Sequence, residues 1–173
     1  MRFFKVFCTI GALLPFAMAD GAAIVNAMKD IETQTIALNT TVAAFNGNPL
    51  KVVDILLKST SLLTTIKKGT KIAKDSASLT DLEALGLAGE TQSLASIVSS
   101  SLTTIVSKKK VFQKDLLQPA IYLTLKQQKE VSDKFSTVVV SKVPEALRGV
   151  AQSLVDPIDV AFDAAIAEYK KFP

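Results

Sequence analysis

Apolar residues recur at intervals of three and four along almost the whole chain, and this spacing is typical of amphipathic helices. A half-buried strand would instead alternate apolar and polar residues, because its side chains point to opposite faces in turn. No segment shows that alternation. Helix-breaking signals are few: Asn-Gly-Asn-Pro at 46–49, polar residues at 75–78, three lysines at 108–110, and Pro144. The sequence therefore predicts an all-α fold.

The breaks divide the chain into five amphipathic segments joined by short links, a pattern that predicts an antiparallel bundle of about five helices. Thr80 and Glu83 have the spacing of a capping box, which indicates a helix start at that point. Gly86 and Gly89 should loosen the third helix, and Pro157 should bend the last one. The apolar stripes run through Ile24, Met28, Ile31, Leu38, Val42 and Phe45; Val52, Leu56, Leu63 and Ile66; Leu94, Val98, Leu102 and Ile105; Leu117, Ile121, Val131, Phe135 and Val138; and Leu147, Ala151, Leu154, Ile158, Phe162 and Tyr169.

The first 19 residues have the features of a secretory signal peptide. Arg2 and Lys5 precede a mostly apolar stretch, which ends in the small-x-small motif Ala-Met-Ala at 17–19. The stretch is shorter than the roughly 20 residues that a membrane-spanning helix needs. We therefore expect cleavage before Asp20, a single domain over residues 20–173, and secretion without a transmembrane segment or a lipid-anchor signal. A signal anchor that stays attached is the alternative.

Charge and cysteine content narrow the function classes. Without Arg2 and Lys5 the chain keeps 18 basic and 16 acidic residues, a net charge of +2. Nucleic-acid binders instead show a basic face with interleaved aromatic residues, so we expect no nucleic-acid partner. Cys8 is the only cysteine and lies in the predicted signal peptide. Packing rather than disulfides should therefore hold the exported domain together.

The residues that usually carry catalysis are largely missing. The chain has no histidine, which is the commonest general base and metal ligand. It also has no Gly-x-Ser-x-Gly elbow and no phosphate-binding loop. We expect no catalytic residues, no metal site and no cofactor. A Ser–Lys pair or a carboxylate dyad stays open, because such groups meet in space and not in sequence.

A glycosylation sequon occurs once, at Asn39-Thr40-Thr41 within the first predicted helix. A glycan can be attached before the helix packs, so Asn39 is a candidate glycosylation site. An unused triplet is the equal alternative, because the pattern is short and frequent.

Polar residues at Thr35, Thr124 and Gln128 interrupt the apolar stripes. Buried polar groups need hydrogen-bond partners, and two interpretations follow. In the first, the core is closed and these side chains satisfy each other across the bundle. In the second, the core is hollow and they hold the head group of a ligand or ordered water.

Several short motifs, taken in order, resemble the fungal hydrophobic surface-binding protein A family, which includes cell-wall galactomannoproteins. The similarity spans nearly all of residues 20–172, and its motifs lie at 31–35 with Leu38 and Val42, at 91–95, at 143–147 and at 151–154. The resemblance implies a secreted or wall-associated helical bundle. Some relatives adsorb to hydrophobic surfaces and recruit secreted hydrolases, and others enclose a fatty acid between helices. Family wall proteins often carry a Ser/Thr-rich stalk, which is not seen in this sequence.

We therefore expect a non-catalytic, secreted protein that binds a fatty acid or similar lipid between its helices. The alternatives are a coat that adsorbs to hydrophobic surfaces and a structural cell-wall mannoprotein. The expected contact set is taken from the stripes, with the polar interruptions at the polar end of the ligand. It comprises Leu38, Val42, Phe45, Leu63, Ile66, Val98, Phe135, Leu154, Ile158 and Phe162, with Thr35, Thr124 and Gln128.

Overall fold

The computed structural model describes the backbone of residues 17–170 and the side chains of residues 20–170, and the regular secondary structure of this part of the chain is entirely helical, with no strand. The all-α prediction is confirmed. Most of the predicted signal peptide, residues 1–16, lies outside the described residues. The helices are α1 (Ala17–Ala43), α2 (Pro49–Asp75), α3 (Asp81–Ser107), the short α4 (Lys109–Lys114), α5 (Gln118–Lys142) and α6 (Arg148–Lys170), with a 3-10 turn at Glu145–Leu147 before α6.

Local sequence signals set the starts of α2 and α3. The Asn48 side chain accepts a hydrogen bond from the Leu50 backbone N–H at 3.0 Å, and Gly47 has a positive φ of 94°. At α3, the Thr80 backbone N–H donates to the Glu83 carboxylate at 2.9 Å, and the Glu83 N–H donates to the Thr80 hydroxyl at 3.3 Å. The predicted break at 46–49 and the predicted capping box are both confirmed.

Three local features differ from the expectation or refine it. The lysine run ends α3 as predicted, but Lys109 and Lys110 then begin α4, which the apolar pattern did not indicate. Pro144 breaks the chain between α5 and α6 as predicted, and a 3-10 turn follows it before α6 begins. The last helix continues through Pro157 without interruption. No helix within residues 17–170 is long and apolar enough to cross a membrane.

The five long helices form a closed ring in the order α1–α2–α5–α6–α3, in which each helix packs on two neighbours. Gln128 bonds Ser59 and Lys142 bonds Ser76, so α2 and α5 run in the same direction. Consecutive long helices alternate in direction as predicted. Because the ring order differs from the chain order, three neighbouring pairs (α1/α3, α3/α6 and α2/α5) are nevertheless parallel.

A ring of five helices leaves more space on its axis than a four-helix bundle. Packed helices lie about 8–10 Å apart, so at about 9.5 Å each axis of a regular five-membered ring lies about 8 Å from the centre. A helix with its side chains has a radius of about 5–6 Å, which leaves an axial space about 2–3 Å in radius. The helix number alone therefore favours a narrow central channel.

Candidate functional site

The axial space contains a central cavity walled by α1, α2, α3, α5 and α6. Its wall is mainly aliphatic and aromatic, and no charged side chain lines it among the described residues. Hydroxyl and amide groups interrupt the wall at a few points. The lining consists of Met28, Ile31, Thr35, Leu38, Leu62, Ile66, Thr91, Leu94, Val98, Ser101, Leu102, Ile105, Gln128, Ser132, Phe135, Ser136, Val139, Val155, Ile158 and Phe162.

The central cavity is long but narrow. The lining residues bound about 690 Å³ of space that no atom fills, a figure that includes some open solvent. Only about 40 Å³ of this space is wide enough for the centre of a water-sized sphere. That is room for a few water molecules, since each needs roughly 10–15 Å³ by this measure. A bulky occupant would therefore have to push the helices or their side chains apart.

Two further cavities continue the central one along the axis. The inner cavity shares Leu38, Ile105 and Gln128 with it. The outer cavity shares Thr91, Val139 and Val155 with it. The inner cavity is lined by Leu38, Val42, Ile55, Ser59, Ile105, Phe112, Ile121, Thr124, Leu125 and Gln128. The outer cavity is lined by Ala84, Leu85, Leu87, Ala88, Thr91, Val139, Val140, Val143, Leu147, Val150, Ala151, Leu154 and Val155.

Along α5 the inner and outer cavities extend from Ile121 to Val143, which corresponds to about 33 Å at 1.5 Å per residue. An extended chain of sixteen carbons, with single bonds of about 1.5 Å, spans about 20 Å. The three cavities together are therefore long enough for such a chain.

Three buried aromatic rings close the inner end of the axis, and we call them the aromatic floor: Phe45, Phe112 and Tyr169. The Phe45 and Phe112 rings stack with their centroids 4.9 Å apart, and the Phe112 and Tyr169 centroids lie 6.5 Å apart. The Tyr169 hydroxyl donates to the Ile105 carbonyl at 2.7 Å, and burial raises the pKa of this phenol. Packing and hydrogen bonding thus seal this end of the bundle.

The polar groups around the central cavity differ in how far they are already hydrogen-bonded. Thr35 donates to the Ile31 carbonyl at 2.8 Å, so its hydroxyl hydrogen is used within its own helix. Gln128 donates one amide hydrogen to the Ser59 hydroxyl at 2.9 Å, across from α5 to α2. The hydroxyls of three lining serines have no hydrogen-bond partner among residues 20–170: Ser101, Ser132 and Ser136. These serines and the second amide hydrogen of Gln128 can donate to a ligand.

A charged layer lies outside the cavity wall, between α5 and α6. The Lys129 ammonium is 3.5 Å from Asp133, 3.5 Å from Asp159 and 3.6 Å from Asp163. Burial, together with a hydrogen bond to Asp159 and its charge, raises the pKa of Asp133 to about 6. Burial by itself lowers the pKa of Lys129, but the three carboxylates outweigh it and raise that pKa. Over residues 20–170, no group of three His, Cys, Asp or Glu side chains is placed to hold a metal ion.

The structure gathers eight of the thirteen expected contact residues around the central cavity. Val42 and Thr124 line the inner cavity instead, and Leu154 lines the outer one. The Thr124 hydroxyl donates to the Ala120 carbonyl at 2.9 Å. The eight central residues are Thr35, Leu38, Ile66, Val98, Gln128, Phe135, Ile158 and Phe162.

Two expected contact residues lie outside all three axial cavities. Phe45 is packed into the aromatic floor. Leu63 is half-buried against the core, and its neighbour Leu62 lines the central cavity in its place. Consecutive helical residues point about 100° apart, so only one of these two leucines can face the axis.

Sequence reasoning missed the free serines of the wall. Gln128, Ser132 and Ser136 are four residues apart on α5, so they form one polar line facing the cavity. Gln128 interrupts the apolar stripe of this helix, and the two serines continue its line at the same spacing, so the sequence did contain a signal for them. Ser101 on α3 carried no comparable signal.

Asn39, the candidate glycosylation site, is half-buried on α1. Its side-chain oxygen is buried and has no hydrogen-bond partner within the described part of the chain. A glycan attached to Asn39 would have to extend from the exposed side of this residue into solvent. Glycosylation at Asn39 therefore stays a prediction.

Comparison with known proteins identifies the family. The family model described as "Hydrophobic surface binding protein A" matches residues 21–141. The chain belongs to this family. Among curated proteins it is similar to "Cell wall mannoprotein 1" of Aspergillus flavus, with 31% identity over 98% of this chain and 63% of the relative. The corresponding protein of Aspergillus fumigatus is 30% identical over 98% of this chain and 61% of the relative. The chain thus spans about three fifths of these two relatives.

Solved structures share the fold of this family member. Ligand-binding domain 2 of the Penicillium marneffei MP1 protein, described as complexed with multiple arachidonic acids, superposes with a TM-score of 0.83 at 22% identity, over 87% of this chain and 96% of that one. AFMP4P, described as in complex with palmitic acid, gives a TM-score of 0.83 at 21% identity over 86% of this chain and 99% of that one. At this level of identity the likeness establishes the fold.

Proposed function

We propose that this protein binds a fatty acid or similar single-chain lipid, without catalysis, in the axial cavities of its helical ring. The observation that carries the proposal is a long, narrow, apolar central cavity whose lining has no charged side chain among the described residues. The two structural relatives described with arachidonic and palmitic acids support it. A slender acyl chain fits the calculated width of the axial space better than a compact ligand does.

Burial of the acyl chain provides the driving force for binding. Each methylene moved from water into an apolar site contributes about 0.8 kcal/mol, so 10–14 methylenes contribute roughly 8–11 kcal/mol. Association costs on the order of 4 kcal/mol or more, and widening the narrow cavity adds to that cost. The difference, about 4–7 kcal/mol before that widening, corresponds to a dissociation constant between about 1 mM and 10 µM without an ion pair to the carboxyl group.

The direct test is calorimetry of the delipidated protein with palmitic and arachidonic acids, followed by native mass spectrometry of the complexes. We expect saturable binding. Val98→Phe should fill part of the central cavity and weaken binding at least tenfold. The matched control is Val160→Phe, at an exposed position on α6, which should leave affinity unchanged. Equal affinities in the two variants, or no saturable binding by the wild type, would contradict the proposal.

The polar end of the ligand is proposed to lie at the serine line of α5. A hydroxyl that bonds the ligand contributes about 0.5–1.5 kcal/mol, so removing two of them by Ser132→Ala with Ser136→Ala should weaken fatty-acid binding at least about fivefold. Ser141→Ala is the control, because Ser141 is exposed and bonds the Val138 carbonyl of its own helix. Unchanged affinity in the double variant would place the carboxyl group elsewhere.

A second proposed function is adsorption to hydrophobic surfaces. Leu50, Val53 and Leu57 lie on the solvent face of α2 and are 77%, 55% and 63% exposed. Their spacing of three and four places them on one line of the helix. Replacing all three by serine should reduce retention on hydrophobic beads and leave calorimetric fatty-acid binding intact. If retention is unchanged, α2 is not the adsorbing face.

Location and partners follow from the same family membership. We propose a secreted or wall-associated protein, supported by the signal-like N-terminus and by relatives named cell wall mannoproteins. N-terminal sequencing of secreted material should give Asp20 as the first residue. Secreted hydrolases are proposed partners of the adsorbed form, and co-sedimentation with protein-coated beads tests this.

A further inference from the structure

The ends of the axial space differ in how they meet solvent. At the inner end, the aromatic floor is at most 1% exposed. Every residue that lines the central or inner cavity is buried or half-buried. The outer cavity has exposed walls, since Leu85 is 63% and Val150 is 59% exposed. The outer cavity is therefore the one of the three axial cavities whose lining includes exposed side chains.

The wall of the outer cavity carries small side chains on the side where α3 faces α6. Small side chains line it there, at Ala84 and Ala88 on α3 and at Ala151 on α6. Through Thr91, Val139 and Val155 it joins the central cavity directly. A chain that passes between the first turns of α3 and α6 thus reaches the central cavity past the side chains of Thr91, Val139 and Val155, which line both cavities.

The glycines near this cleft are not required by close packing. A Cβ atom added at Gly86, Gly89 or Gly149 would meet no atom within 4 Å. Gly69, by contrast, sits where a Cβ would come within 3.3 Å of Ile31 and Phe135, so its small size serves close packing. Glycine weakens a helix because it gains more backbone freedom than other residues when the helix opens. Gly86 and Gly89 therefore make this part of α3 easier to open than alanine at the same positions would.

From these observations we infer that the acyl chain enters and leaves through the cleft between the first turns of α3 and α6, and that Gly86 and Gly89 set how readily this cleft opens. The inference rests on the proposed lipid binding and specifies the route to that site. The cavity walls are too close together in the closed ring for a chain to slip in unaided. Opening at the glycine-containing segment supplies the missing width, while the aromatic floor stays shut.

The test is a rate measurement on the full chain. Each Gly→Ala change shifts the helix–coil balance about four- to fivefold towards helix, so Gly86→Ala with Gly89→Ala should make opening of this segment about 20-fold rarer. Uptake of a fluorescent conjugated-polyene C18 fatty acid is followed by stopped flow. We expect association and dissociation rates to fall together at least fivefold, with the dissociation constant within twofold of wild type. Thermal stability should rise, because alanine favours the helix more than glycine does and neither new methyl group meets a neighbour.

A matched control separates slower opening from general stabilisation. Ser61→Ala with Thr64→Ala also favours helix, on exposed positions of α2 away from every axial cavity. Its uptake rates should equal those of the wild type. A second variant, Ala151→Leu, narrows the cleft sterically and should also slow uptake, whereas Ala167→Leu on the exposed side of α6 should not.

The outcomes distinguish the two levels of the proposal. If the wild type shows no saturable binding, lipid binding itself is wrong. If the wild type binds but the glycine variant and Ala151→Leu keep wild-type rates, binding stands and the route between α3 and α6 is wrong. If the α2 control slows uptake as much as the glycine variant, overall stiffness governs uptake, and the assignment to this cleft is likewise overturned.

Discussion

The hydrogen bond between Gln128 and Ser59 allows a quantitative test of how this core tolerates polar side chains. The donor–acceptor distance is 2.9 Å, and the two residues are only 3% and 4% exposed. Gln128→Leu keeps the approximate size and removes the donor. A typical hydrogen bond contributes about 0.5–1.5 kcal/mol net, and a buried hydroxyl left without its partner costs about 1–3 kcal/mol. Because leucine gains from burial in an apolar core, the free energy of unfolding should fall by about 1–2 kcal/mol.

The bond itself is isolated by a double-mutant cycle with Ser59→Ala. The two single variants each leave a buried polar group unpaired, whereas the double variant leaves neither. Urea denaturation followed by circular dichroism should give a coupling energy of about 1 kcal/mol with unchanged m-values. Gln127→Leu, at an exposed position one residue earlier, should change stability by less than about 0.5 kcal/mol. Additive losses in the double variant, within about 0.3 kcal/mol, would refute the argument that this pair is energetically linked.

Three further predictions concern charge, backbone and capping. The pKa of Asp133 is raised to about 6, above the roughly 3.9 of an unfolded chain, so the native state binds this proton more tightly and stability should fall as the pH rises from about 4 to 6. Thermal denaturation at pH 4.5 and 7 measures this loss of stability, and the Asp133→Asn variant should not show it. If the variant loses as much stability as the wild type, other groups cause the loss. Leu116 has a φ of 56°, so Leu116→Asn should raise stability by up to about 1 kcal/mol in urea titration, and a loss would show that this turn is not strained. Thr80→Ala should remove the capping bond of α3 and cost about 1 kcal/mol by the same assay, with Thr103→Ala, at an exposed position near the end of the same helix, as the control.

The helix boundaries were largely predictable because their signals are local. Asn48, Pro49 and the Thr80–Glu83 pair act on the backbone within a few residues, so the chain sequence contains the cause of each boundary. The ring order was not predictable in this way. It depends on which long helices pack side by side, and the pairs α1/α3 and α2/α5 are brought together by tertiary contacts alone.

The candidate site was predictable only in part, for a geometric reason. An apolar stripe identifies the buried face of a helix, and this was sufficient for Leu38, Ile66 and Phe135. It does not give the height of a residue along the axis or the small rotation that separates Leu62 from Leu63. The outer cavity was missed for the same reason, because its wall depends on how closely the first turns of α3 and α6 approach.

The odd number of long helices has an electrostatic consequence. Each helix carries a macrodipole equivalent to about half a positive charge at its N-terminus and half a negative charge at its C-terminus. With α1, α3 and α6 pointing one way and α2 and α5 the other, the five dipoles cannot cancel. The floor end is left with an excess of carbonyl ends, and lysines offset it there: Lys108 donates to the Phe45 carbonyl beyond α1, and Lys109 to the Glu168 carbonyl near the end of α6. At the other end Asp20 and Glu83 accept from backbone N–H groups. A bundle with an odd number of long helices thus keeps a net dipole along its axis, whereas an even antiparallel bundle does not.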